Sequence, residues 1–228
     1  LISVSTRSKK LKIKYDAIII GAGVIGAAVS FELSKKGFKT LNIDRNPTSG
    51  YGSTSASCAI IRVHYSTFDG CALAYEGYHY WKKWEEYLEY KDEKGLAKFI
   101  ECGCMIYQTK ENDYLKNVIT RAQELEIPYE NWNSEMIKSK LPIVEIGKFG
   151  PVKLTSDKEF GKNNGENLKG AIFFPTAGYI SDPQLSAHNL QRASEKKGAD
   201  YLFNSSVEKI LTDKDRVSGI LLDNGESI

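Results

Sequence analysis

The sequence predicts an α/β protein that opens on a parallel, helix-covered sheet, and three observations predict it. After Asp16, Ala17 to Ile20 form a short apolar run that ends at Gly21-Ala22-Gly23-Val24-Ile25-Gly26, three glycines in the order G-x-G-x-x-G. The residues that follow keep a helical pattern up to a glycine stop at Gly37. A second short strand, Thr40 to Ile43, then ends at the acid Asp44.

Each part has a physical reason. Gly21 permits the sharp turn from strand to helix, Gly23 lets the backbone approach a pyrophosphate, and Gly26 lets helix and strand pack closely. Val24 and Ile25, in the first helical turn, offer unpaired N–H groups and the positive end of the helix dipole to phosphate oxygens. Asp44 ends the second strand, where a carboxylate can hold a ribose hydroxyl. A glycine triplet alone would mark any tight turn. With the strand before it, the helix after it and the acid behind, it reads as a Rossmann-like dinucleotide fingerprint.

Further elements follow in order. The first helix is expected over Val24–Lys36, with Ala27, Ala28, Phe31 and Leu33 available to the sheet. Asn46 to Ser57 is a loop of small residues. Leu73 to Tyr90 has helical spacing through Gly77, Tyr78, Trp81, Trp84 and Leu88, an aromatic stripe suited to core packing. Phe99 to Tyr107 suggests a strand, and Asn112 to Leu125 an amphipathic helix through Leu115, Val118, Ile119 and Ala122. Gly147 to Gly170 is polar and lysine-rich, as a surface excursion would be. Ala171 to Phe174 is a strand closed by Pro175. Ser181-Asp182-Pro183 supplies a capping side chain and a proline at the first helical position, with Gly198 as the stop. Strands are expected at Asp200–Phe203, Val207–Leu211 and Arg216–Leu222, and Asp223-Asn224-Gly225 is a hairpin turn.

Composition bounds the function. Lys and Arg number 31 against 29 Asp and Glu in 228 residues, a net charge of +2, which gives no field suited to nucleic acid or an anionic membrane. No apolar run is long enough to span a bilayer, and the basic stretch Arg7 to Lys14 lacks the apolar region of a secretion signal. Cys58, Cys71, Cys102 and Cys104 have neither a disulfide-framework spacing nor a partner pair for a zinc site, so no metal is expected. Reduced thiols in a cytoplasmic protein are the expectation.

The fingerprint alone does not separate NAD from FAD. Downstream, Arg45 follows the acid, and Gly52-Ser53-Thr54-Ser55-Ala56-Ser57-Cys58-Ala59-Ile60-Ile61-Arg62 is a small-residue stretch that can pass close to a large cofactor. An NAD dehydrogenase would continue into another crossover helix here, which favours FAD. These blocks, with Phe173-Phe174-Pro175 through Gly178-Tyr179-Ile180-Ser181-Asp182-Pro183 and the later Ser206-Val207, resemble the D-amino-acid oxidase superfamily of FAD-dependent oxidoreductases. The similarity is greatest to the branch of sarcosine oxidases, dimethylglycine dehydrogenases and glycine oxidases.

The resemblance implies a GR2-type flavoprotein: a Rossmann-like FAD-binding domain interrupted by an α+β substrate domain. It places the first FAD-binding part at residues 1–95, substrate-domain residues at 96–180, and a second FAD-binding part at 181–228. It implies that Gly21, Gly23, Val24, Ile25 and Gly26 face the pyrophosphate and that Asp44, followed by Arg45, faces the ribose. Gly52, Ser53 and Thr54 would lie along the phosphates, Cys58, Ala59 and Ile60 along the flavin, and Val207 against the adenine. Arg62 would grip a substrate carboxylate, with a structural salt bridge as its alternative role. His64 and Tyr65 could line the same pocket or occupy polar surface positions.

Two departures qualify the resemblance. Ser55-Ala56 stand where dimethylglycine-dehydrogenase-like members carry the Trp-His pair that attaches the flavin, so non-covalent FAD is expected. Ala59 stands where monomeric sarcosine oxidases carry a further arginine. The implied activity is hydride transfer from the carbon next to nitrogen of a small amino acid to FAD, giving an imine. Electrons would pass on to dioxygen or to an electron-carrier protein. The alternatives are a flavin-dependent 2-hydroxy-acid or alcohol dehydrogenase and a non-catalytic FAD-binding subunit. The family's next strand, with its second glycine turn, would follow Ile228, so a C-terminal half or a partner chain is a further expectation.

Overall fold

A computed structural model describes residues 14–109 and 115–228. In chain order the elements are β1 (Ala17–Ile20), α1 (Val24–Lys35), β2 (Thr40–Ile43), β3 (Ile60–Ile61), α2 (Phe68–Lys82), α3 (Trp84–Leu88), β4 (Phe99–Ile100) and β5 (Cys104–Tyr107). They continue with α4 (Leu115–Glu124), β6 (Glu130–Asn133), α5 (Ser134–Lys140), β7 (Gly170–Phe174), β8 (Gly178–Ile180), α6 (Pro183–Lys196), β9 (Asp200–Leu202), β10 (Val207–Asp213) and β11 (Arg216–Leu222). The chain gathers into two compact units. One holds the described residues up to Ser57 with Leu88–Ala97 and Asp182–Ile228; the other holds Cys58–Tyr87 and Lys98–Ser181. The latter unit therefore contains Cys58 to Tyr87, a stretch that the sequence-based division assigns to the first FAD-binding part.

In the first unit β2 is the centre of a parallel sheet, paired with β1 on one side and β9 on the other. Alternation along a strand splits its four buried residues. Leu41 and Ile43 join Ile220 and Leu222 in an apolar cluster. Thr40 and Asn42 take the opposite face, toward α1. The buried stripe of α1 is Ala27, Ser30, Phe31 and Ser34, rather than the expected set with Ala28 and Leu33, which are half-buried. Small hydroxyl residues serve on this face because each finds a partner. Ser30 bonds Thr40 at 2.9 Å, and Ser34 donates to the Phe31 carbonyl at 3.0 Å.

Helix α6 packs on α1, and its buried residues include Ala187, Leu190 and Ala193. It starts as its sequence predicts: Asp182 accepts a hydrogen bond from the Leu185 N–H at 2.8 Å, with Pro183 in the first turn. From this helix, fully buried Asn189 accepts from the Ala97 N–H and donates to Asp92 and to the Gly95 carbonyl, tying residues 88–97 into the unit. β10 and β11 form an antiparallel hairpin. The expected turn after Leu222 is present: Gly225 has φ +83°, and Ile220 and Ile228 exchange both backbone bonds, at 2.9 and 3.1 Å.

The second unit contains two antiparallel three-stranded sheets, β3-β8-β4 and β5-β7-β6. Its largest core joins Cys71 and Tyr78 of α2, Val118 and Ala122 of α4, and Ile172 and Phe174 of β7. Two expectations change here, and one strand is added to them. The helix expected from Leu73 starts at Phe68 and breaks after Lys82. The strand expected over Phe99–Tyr107 divides at Gly103, whose φ of +78° takes the chain out of the extended range; a Cβ there would meet the Phe173 ring at 2.2 Å. The polar run Glu130–Asn133 is a strand because β7 offers it a partner edge and Trp132 is buried. Of the helix expected over Asn112–Leu125, residues 112–114 lie outside the described residues, and the described part runs Leu115–Glu124. The excursion Gly147 to Lys169 carries no named helix or strand.

Candidate functional site: a glycine-lined cleft and an arginine patch

The glycine turn of the first unit is built by the main chain. Gly21 has φ +110°, a conformation side-chain-bearing residues rarely adopt, and its N–H donates to the Ile43 carbonyl at 2.7 Å. A Cβ at Gly26 would stand 2.1 Å from the Gly21 carbonyl oxygen, so α1 can meet the turn only through glycine. A Cβ at Gly23 would stand 3.1 Å from Thr54 Oγ1. That same oxygen accepts the Val24 N–H at 3.0 Å, so a distant loop supplies a cap that Gly23 cannot.

Asp44 ends β2 with both carboxylate oxygens engaged, accepting from the Ala22 N–H at 2.7 Å and the Asn46 N–H at 2.9 Å. Backbone bonds from Ser205 N to the Asp44 carbonyl and from Asn204 N to the Asn46 carbonyl, both 3.1 Å, hold the 204–206 stretch alongside. The result is a cleft of about 500 Å³. Of the cofactor residues expected from the sequence, Gly21, Gly23, Asp44, Arg45, Gly52, Ser53, Thr54 and Val207 line it. Val24, Ile25 and Gly26 belong to the adjoining first turn of α1 and do not line it. Asn46, Ser205 and Ser206 line it as well. Local sequence gives no sign of them, because their places come from backbone bonds to a loop some 160 residues away in sequence.

Cys58, Ala59, Ile60, Arg62, His64 and Tyr65 lie in the second unit. Ala59 has φ +52°, and its carbonyl accepts the Ile180 N–H at 3.0 Å, which starts the pairing of β3 with β8. Arg62 follows β3 directly and is exposed, with its guanidinium 4.6 Å from the centre of the Tyr65 ring. His64 is buried, stacked on Phe174 at 4.8 Å, and its Nδ1 has no hydrogen-bond partner. Burial, and then the positive charge of Arg62, lower its pKa to about 4, so the ring is neutral near pH 7. The Cys104 thiol is pushed up by burial, with Arg62 acting in the opposite direction. His64 is therefore not at a polar surface position, whereas Tyr65 is exposed.

A further cluster, Asp92, Glu93 and His188, brings ligand atoms within 4.8 Å of one another. Protein donors already engage it: Asp92 accepts from the Lys94 N–H and the Asn189 amide, and Glu93 pairs with Arg192.

The family model described as FAD dependent oxidoreductase matches residues 16–228. The chain belongs to this family. FAD is the family's cofactor, and the cleft fits its adenosine and pyrophosphate: a glycine turn without side chains, a helix N-terminus, two hydroxyl residues and a carboxylate at the end of β2. N-methyl-L-tryptophan oxidase of Yersinia pestis (strain Pestoides F) is 26% identical over 211 residues, which are 92% of this chain and 50% of that protein. L-proline dehydrogenase from P. horikoshii superposes with a TM-score of 0.74 at 20% identity, over 93% of this chain and 50% of that one. Glycine oxidase from Geobacillus kaustophilus superposes with a TM-score of 0.67 at 24% identity, over 92% and 51%. These structural likenesses show the fold. The chain spans about half the length of the relatives it matches. Among the described residues, no helix is long and apolar enough to cross a membrane.

Proposed function

We propose that this chain supplies FAD binding and substrate-carboxylate recognition for the oxidation of a small amino acid, with a secondary or tertiary amine favoured. The observation that carries this reading is the assembly of eight residues of the fingerprint, the following loop and Val207 around one cleft, in a chain that matches the flavoprotein family from residue 16 onward. The amine class draws on the relative named N-methyl-L-tryptophan oxidase, whose name specifies an N-methylated amino acid. When bound, FAD supplies a hydride acceptor for the carbon next to the substrate nitrogen.

The chain's own residues bind and orient. The turn Gly21–Gly26 and Thr54 hold the pyrophosphate, and Asp44 the ribose. Arg62 grips the substrate carboxylate, a task suited to a planar guanidinium that donates two parallel hydrogen bonds. The Tyr65 ring steadies the guanidinium plane. Neutral His64 beside it adds no second charge to compete for the anion. In this reading the first compact unit is the nucleotide-binding part, and the second holds the residues that meet substrate. With Ser55-Ala56 in place of a Trp-His pair, FAD is held without a covalent bond at this loop.

The test is the flavin spectrum under anaerobic conditions with N-methyl amino acids, unmethylated amino acids and 2-hydroxy acids. Bleaching by the N-methyl amino acids is expected. Bleaching by hydroxy acids alone would replace the reading with an alcohol dehydrogenase, and a yellow protein that no substrate bleaches would leave only cofactor binding. Acid precipitation should release the yellow colour to the supernatant, and colour retained in the pellet would contradict non-covalent binding.

A further inference from the structure

Asn42 is a polar residue in the middle of a fully buried strand, itself 0% exposed. Its amide donates to the Gly26 carbonyl at 3.1 Å and to the Gly21 carbonyl at 3.4 Å. Two carbonyl oxygens on one side fix which way the amide faces, since only its nitrogen can donate. Its own oxygen, Oδ1, has no partner. A buried, unpaired amide oxygen costs stability that an apolar side chain of the same shape would not. The donors therefore account for the residue better than fold stability does.

The bonds converge on one peptide group. In a trans peptide the C=O and the following N–H point in opposite directions. Asn42 holds the carbonyl of the Gly21–Ala22 peptide, while the carboxylate of Asp44 accepts its N–H at 2.7 Å. Between them the Ile43 carbonyl accepts the Gly21 N–H at 2.7 Å. Three successive residues at the end of β2 thus pin the turn, and the plane of its second peptide is gripped from both ends. Gly21 has no side chain and a φ of +110°, so little in its own covalent structure would hold that plane.

We propose that Asn42 is a positioning residue for the dinucleotide: it locks the Gly21–Ala22 peptide, and through it the Asp44 carboxylate, in the orientation that receives pyrophosphate and ribose. The proposal rests on the FAD reading of the cleft. Asn42 itself does not line that cleft; it acts through the turn.

The experiment compares FAD and ADP dissociation constants with the melting temperature of the cofactor-free protein, for wild type, Asn42→Leu, Asn42→Asp and Thr40→Val. Leucine keeps the branched shape and loses the donors. It should weaken FAD and ADP by the same factor, about tenfold, while the melting temperature changes little, because removing the unpaired oxygen offsets the bonds that the two carbonyls lose. Aspartate keeps the shape but sets a carboxylate against two carbonyl oxygens, so affinity should fall further and stability with it. Thr40→Val removes the buried bond to Ser30 on the same strand face, 2.9 Å in length, without touching the turn. It should lower the melting temperature and leave both affinities unchanged. Unchanged affinity in Asn42→Leu would overturn the proposal. So would a loss that merely follows melting temperature across all three variants, which would make Asn42 a structural residue. A wild-type protein that binds neither FAD nor ADP would refute the FAD reading itself, and the proposal with it. That result is distinct from the other two.

Discussion

In the first unit the glycine turn beside the cleft is shaped by main chain. Gly21 contributes a φ, Gly26 the absence of a Cβ, Val24 an N–H, and the side chains that matter, Thr54 and Asp44, bond backbone N–H groups. In the second unit Arg62, His64 and Tyr65 follow a two-residue strand, and the roles proposed for them are side-chain roles. The contrast explains how each region would tolerate change. A backbone site fails when any bulk is added, whereas a side-chain site fails when one particular group is removed.

Gly26→Ala should be the most damaging change in the first unit. Alanine is the better helix former by about 1 kcal/mol, yet its methyl would stand 2.1 Å from the Gly21 oxygen, so one of the two backbones must move. Stability should fall by at least about 2 kcal/mol, measured by denaturant unfolding, with FAD affinity lost by more than about a hundredfold. A protein stabilised by this change would break the account of the turn.

Next comes His64. Its imidazole titrates at about 4 in the folded protein against 6.5 as the ordinary value. Between those values the unfolded chain takes up a proton that the folded one refuses. The associated stability is therefore present above pH 6.5 and lost as pH falls toward 4. At about 1.4 kcal/mol per unit the full difference is worth about 3 kcal/mol. Unfolding curves at pH 7 and pH 5 should show wild type losing more stability than His64→Phe. Equal losses would put His64 in water.

A smaller effect is expected from Thr54→Val, which removes the acceptor for the Val24 N–H and the hydroxyl proposed to meet the pyrophosphate. FAD affinity should fall about fivefold, near 1 kcal/mol, with the melting temperature almost unchanged because Val24 is only partly buried and water can replace the hydroxyl. An affinity unchanged from wild type would mean that the loop around Ser53 and Thr54 does not meet the cofactor.

The same contrast decides what could be read from the sequence. Backbone demands leave a residue signature: a positive φ or a missing Cβ means glycine, so Gly21, Gly26 and the acid after β2 could be found without a structure. The cap of α6 was equally legible, because Asp182 and Pro183 act within one turn. Pairings between distant stretches leave no such mark. Glu130–Asn133 becomes a strand only because β7 lies beside it, and the stretch that brings Ser205 and Ser206 to the cleft is held there by bonds from Asn204 and Ser205 to residues 46 and 44. Helix α1 hides its buried face from a hydrophobic pattern, since Ser30 and Ser34 occupy two of its positions. Arg62 was singled out by resemblance rather than by periodicity, and burial of His64 against Phe174 could not be inferred from its neighbours in sequence.

The proposed reading divides the labour: main chain in the first unit for the cofactor, Arg62 in the second for the carboxylate. Replacing Arg62 with alanine tests it most directly, with FAD affinity and turnover measured on the same preparation. FAD binding should stay within about twofold of wild type while kcat/KM for a carboxylate-bearing amine falls at least about tenfold, the loss of one charge-assisted bidentate pair. Lysine at the same position should recover part of that loss, and an amine lacking the carboxylate should be indifferent to either change. Release of FAD by Arg62→Ala, or an equal loss with every amine, would contradict the claim and make Arg62 a structural residue.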